Sequence, residues 1–128
     1  MKKLLLLLAL TVPMYANPAL FKKYEAVRQA LLKNSLKDVQ KTAAALASDA
    51  QKAKLRTVTE FAQSVALAKN LDDARRSFAA LSDEMIKLPG RPAVYYCDMA
   101  RRSWLQPKGK VGNPYEPAMQ SCGTLNAE

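Results

Sequence analysis

Between Pro18 and Pro89 the chain has neither proline nor glycine, and apolar residues recur throughout that span at helical spacing. A stretch with this period folds as helices that bury one stripe each. Leu20, Tyr24, Val27 and Leu31 step by 4, 3 and 4, with Pro18 suited to the first turn of a helix. Ser35 with Asp38 forms a capping-box-like start for a second helix, whose stripe is Leu36, Val39, Ala43, Leu46 and Ala50. A third runs through Leu55, Val58, Ala62 and Val65 and ends near Asn70. Asn70 caps a fourth, with Asp72 and Asp73 set against the positive helix start and a stripe of Leu71, Ala74, Phe78, Leu81, Met85 and Leu88.

Sliding the sequence by 35 residues lays Ser35–Asp49 on Asn70–Glu84, matching Leu36 to Leu71, Asp38 to Asp73 and Leu46 to Leu81. Two similar helical hairpins follow, and neither can bury its stripe alone. The expected fold is all-α: an antiparallel four-helix bundle over residues 17–90. "LPGRP" (Leu88 to Pro92) ends it, and an irregular tail over residues 91–128, with a short β-like segment at "AVYYC", packs on the bundle to complete one domain.

The first 16 residues, "MKKLLLLLALTVPMYA", have the layout of a secretory signal peptide, and the apolar run is too short for a membrane span. Export is therefore expected, with no span in the mature protein. Removing Lys2 and Lys3 from 20 basic against 11 acidic residues leaves a charge of +7, scattered over helix faces. Outside the cytosol that balance suits anionic surfaces or acidic proteins, and nucleic acid is not an expected partner. Histidine is absent, which removes the usual general base and a common metal ligand. The helical carboxylates Glu25, Asp38, Glu60 and Asp73 are spread over helix starts and outer faces, so no enzyme is expected.

Chemistry is concentrated in the tail. "YYCDMARRSWLQ" from Tyr95 and "YEPAMQSCG" from Tyr115 hold both cysteines and the only tryptophan. In an extended segment the sulfurs of Cys97 and Met99 point the same way; in a helical turn those of Met119 and Cys122 share a side. If Gly112 and Pro114 turn the chain back, the four sulfurs meet. Thiolate with thioether makes a soft site suited to copper(I) or silver(I). Arg101 and Arg102 would offset its negative charge. Trp104 either faces the metal or, more simply, docks the tail as an apolar plug. A Cys97–Cys122 disulfide competes with the metal reading, and spacing alone favours it: exported cysteines usually pair, and closing a 25-residue stretch stabilises by roughly 3 to 4 kcal/mol.

"ARRSFAALSDEMIKL" from Ala74, "CDMA" from Cys97, "SWLQ" from Ser103 and "NPYEPAMQSCG" from Asn113 resemble a bacterial domain-of-unknown-function family. Its members are exported helical domains, found as small proteins and fused to periplasmic adaptor subunits of copper and silver efflux systems. The resemblance covers almost all of the mature chain. It implies a periplasmic metal-handling role, with Cys97, Met99, Met119 and Cys122 as copper(I) or silver(I) ligands and a heavy-metal efflux or copper-delivery protein as partner. It also implies that Asn113, Pro114 and Tyr115 form the turn that presents the second sulfur pair. Asp98 departs from the family's proline, and Glu116 with Pro117 from its Tyr-Gly. The rival expectation is a periplasmic helical structural or interaction module, stabilised by the disulfide and binding no metal.

Overall fold

The computed structural model describes residues 17–128, so the leader at residues 1–16 lies outside the described residues. Four helices come first: α1 (Pro18–Leu32), α2 (Leu36–Lys52), α3 (Arg56–Ala66) and α4 (Leu71–Met85). Ser35 and Asn70, 35 positions apart, each accept from the backbone N–H three residues on, which fixes the starts of α2 and α4. Asn17 does the same for α1, with Pro18 at the first helical position. Leu55 begins α3 without a side-chain cap, and the helix stops at Ala66, short of Asn70, leaving Leu67 exposed. None of the described helices is long and apolar enough to cross a membrane.

The all-α expectation is wrong. The segment after the helices is a three-stranded antiparallel sheet, so the fold is mixed: β1 (Ala93–Cys97), β2 (Arg102–Gln106) and β3 (Thr124–Ala127), in the order β2-β1-β3. Val94 and Tyr95 of β1 face Leu105 and Trp104 of β2 across the ladder. The Asp98–Arg101 turn joins these strands, closed by the Arg101 N–H donating to the Cys97 carbonyl at 2.7 Å. Arg101 adopts φ 55°, a left-handed conformation that more often marks a glycine or asparagine.

The sheet changes how the helices close. Consecutive helices pack side by side, but α1 and α4 meet through side chains rather than as a packed pair. Tyr24 of α1 stacks on Phe78 of α4 at 4.8 Å between ring centroids. The sheet and the loop beyond it add the rest of that wall. Trp104 is fully buried, stacked on Tyr95 and edge-on to Tyr115, and Tyr115 tilts against Phe78. One buried cluster thus runs from Leu20 on α1 to Tyr115 after β2. A four-helix bundle would have closed α1 on α4, and here tail aromatics supply part of that contact.

Candidate functional site

Cys97 and Cys122 form a disulfide, with their Cα atoms 5.6 Å apart. The two halves reach it differently. Cys97 is the last residue of the central strand and is fully buried. Cys122 sits in a turn just ahead of β3, its N–H bonded to the Met119 carbonyl at 3.1 Å, and is partly exposed.

Met99 lies in the Asp98–Arg101 turn and is 61% exposed; Met119 is 45% exposed. The expected common direction of Cys97 and Met99 does not occur, because β1 ends at Cys97 and the chain turns at once, leaving one side chain in the core and the other in water. Met85, by contrast, is fully buried in the helical core. The structure therefore joins the two cysteines and leaves a solvent-facing thioether two residues from one and three from the other. Trp104 is packed in the core, donating its indole N–H to Gln106 Oε1 at 2.9 Å, so it does not face a site in solvent. Asp98 is exposed, and the Arg102 guanidinium lies over the Tyr115 ring, 5.3 Å from its centroid.

Bonds other than the disulfide hold the Cys122 turn in place. Asn113 donates from its backbone to the Gln120 carbonyl at 2.7 Å and from Nδ2 to the Cys122 carbonyl at 2.8 Å. Its Oδ1 accepts from the Tyr115 N–H at 2.7 Å, an Asx turn that fixes the Asn113–Tyr115 corner. Gln120 ties the same turn to the end of α1 by donating to the Leu32 carbonyl. Gly123 lets the chain run close over Trp104: a Cβ there would lie 2.5 Å from the ring's Cη2. Gly123→Ala is accordingly expected to destabilise by about 1 to 3 kcal/mol, because the buried indole has no room to move. Urea unfolding of the oxidised proteins checks this.

Three further groups, not singled out from the sequence, anchor the tail. Arg28, buried on α1, pairs with Glu25 at 2.6 Å and donates to the Gly112 carbonyl, also at 2.6 Å. Arg75, buried on α4, donates to the carbonyls of Pro114 and Leu31 and to Asn34 Oδ1. Ser82 Oγ sits 2.7 Å from the Tyr24 hydroxyl and 3.2 Å from that of Tyr115, which donates to the Ser103 carbonyl at 2.6 Å. Burial raises both phenols above their ordinary range, so they stay neutral and hydrogen-bonded. A signal for the arginines was present: Arg28 follows Tyr24 by four residues and Arg75 follows Leu71 by four, placing both on apolar stripes.

Among the described residues there is no group of three or more Cys, Asp or Glu side chains placed to hold an ion. As a disulfide the cysteines offer no thiolate, so the oxidised form does not fit copper(I) or silver(I). An apolar cleft of about 180 Å³ between α1 and the α2–α3 and α4–β1 connections, lined by Leu20, Phe21, Leu55 and Leu88, carries no ionisable side chain. Comparison of the chain with family models, with curated proteins and with solved structures finds no match.

Proposed function

We propose that the protein is a periplasmic copper(I) or silver(I) binder, a chaperone or scavenger rather than an enzyme, whose sulfur ligands become available when the Cys97–Cys122 disulfide is reduced. One observation carries the reading: the chain's only two cysteines are in bonding contact, and an exposed methionine lies within three residues of each. Methionine is ordinarily a core residue, and exposing two beside a cysteine pair forfeits burial while offering soft donors. The hydrogen bonds of Asn113 and Gln120, with the β1–β3 pairing, favour a reduced pair that stays close. The likeness of the tail to domains fused to copper and silver efflux adaptors supports the same ion class and a partner in efflux or delivery. The leader-like residues 1–16 and the disulfide support an oxidising, exported setting.

In the reduced protein Cys97 and Cys122 would supply thiolates, with Met99 and Met119 as thioethers; the bound ion's chemistry is ligand exchange between soft donors. The test is a Met99→Ala/Met119→Ala variant, reduced anaerobically and set against a chromogenic copper(I) chelator. Affinity is expected to fall at least tenfold, about 1.4 kcal/mol. Because both side chains are exposed, the unfolding free energy from urea titration should stay within about 0.5 kcal/mol of wild type. Unchanged affinity removes the methionines from the site.

A second reading is favoured by the disulfide itself: a structural or interaction module whose cysteines only clamp the sheet to the preceding loop. It expects no free thiol in protein purified without reductant and no copper(I) uptake after reduction.

A further inference from the structure

The two sulfurs of the disulfide sit in unequal surroundings, and that inequality bears on how the bond can be opened. Cys97 Sγ belongs to a fully buried residue at the end of the central strand. Cys122 is partly exposed, in a turn beside the exposed Ser121. Thiol–disulfide exchange is an in-line displacement, so an incoming thiolate must approach the attacked sulfur from the side opposite its partner. A macromolecular thiol reaching Cys97 would have to enter the core; one reaching Cys122 can come from solvent.

The sulfur on the leaving side accepts a backbone hydrogen bond. The Ala100 N–H donates to Cys97 Sγ at 3.4 Å, held there by the Asp98–Arg101 turn that Arg101 closes on the Cys97 carbonyl. Arg102 stands opposite Cys97 in the ladder, but its guanidinium lies over the Tyr115 ring, 5.3 Å from the centroid. Burial in apolar surroundings disfavours a charged sulfur and the Ala100 N–H offsets part of that cost, so access, not leaving-group charge, selects the sulfur that is attacked.

We propose that Cys122 Sγ is the point of attack for a dithiol oxidoreductase and that Cys97 is the leaving thiolate. The partner's thiolate forms a bond to Cys122 Sγ while the Cys97–Cys122 bond breaks, its electron pair passing to Cys97. The partner's second thiolate then attacks its own sulfur in the mixed disulfide and releases Cys122. Two electrons and two protons have moved: the partner ends as a disulfide and this chain as two thiols. The inference rests on the metal-binding reading only for the purpose of the released thiols; the chemistry of opening stands without it.

The test uses the oxidised full chain and a thioredoxin-class protein lacking its resolving cysteine, so that the mixed disulfide accumulates. After acid quenching, peptide mapping is expected to place the partner on Cys122 at least tenfold more often than on Cys97. Attachment to Cys97, equal attachment to both, or no adduct until the protein is unfolded would overturn the proposal. A second measurement uses Cys97→Ser and Cys122→Ser with an aromatic disulfide reagent. The lone thiol of Cys97→Ser is expected to react at least tenfold faster than that of Cys122→Ser in buffer, and at a similar rate in urea. Equal rates in folded protein contradict it. Copper(I) competition on chemically reduced wild type reports separately on metal binding, so failure of either idea is visible without the other.

Discussion

Trp104→Ala is expected to lower stability by about 3 to 5 kcal/mol, the largest effect of any single substitution considered for this chain. The indole is fully buried and joins three parts of the structure: it faces Tyr95 across the β1–β2 ladder, meets Tyr115 edge-on, and lies under the backbone at Gly123. Its loss opens a cavity where the sheet meets the loop that leads to Cys122, and leaves Gln106 Oε1 without its indole donor. Urea unfolding followed by circular dichroism and by a probe at the disulfide checks both size and location. A loss below about 1 kcal/mol would mean that the tail is not docked through this ring.

Arg75→Met is the second large effect. The methionine keeps much of the apolar stem but withdraws the guanidinium from the Pro114 and Leu31 carbonyls and from Asn34 Oδ1. Charge-assisted hydrogen bonds are worth roughly 1.5 to 3 kcal/mol each and are not additive, so a total near 3 kcal/mol is expected. The loss should also be seen locally, as faster amide exchange around Asn113 and Tyr115, because Arg75 ties α4 to that corner. Met99→Ala, in an exposed turn, serves as the comparison and is expected to change neither quantity.

The helices were legible because their signals are local. Stripes at helical spacing and the caps at Ser35 and Asn70 are written within a few residues of where they act. The end of α3 was not, since neither glycine nor proline marks the stop at Ala66. The sheet was hidden for a related reason. Its hairpin turns through a left-handed arginine at Arg101 where the usual glycine or asparagine would have announced it. β2 opens with Arg102 and Ser103, two polar residues in succession that break strand alternation, and β3 pairs with β1 from beyond the Cys122 turn, a distance that periodicity does not report.

At the site, the spacing of the cysteines made both a bond and a ligand pair readable, and the bond is what the structure contains. The direction of Met99 was misread because it depended on the strand continuing past Cys97. Arg28, Arg75 and Ser82 escaped notice for another reason: a polar residue on an apolar stripe reveals its role only through partners far along the chain, here Gly112, Pro114 and Tyr115.

The proposed function requires that the tail hold Cys97 and Cys122 close enough to bind a soft monovalent ion once their bond is opened. Copper(I) titration of anaerobically reduced wild-type protein, in competition with a chromogenic chelator, tests it most directly when run beside the oxidised protein and a Cys97→Ser/Cys122→Ser variant. One tightly held copper(I) per reduced chain is expected, and at least a hundredfold weaker binding, about 2.7 kcal/mol, in both comparisons. Equal, weak binding by all three would contradict it and leave the disulfide as a structural clamp.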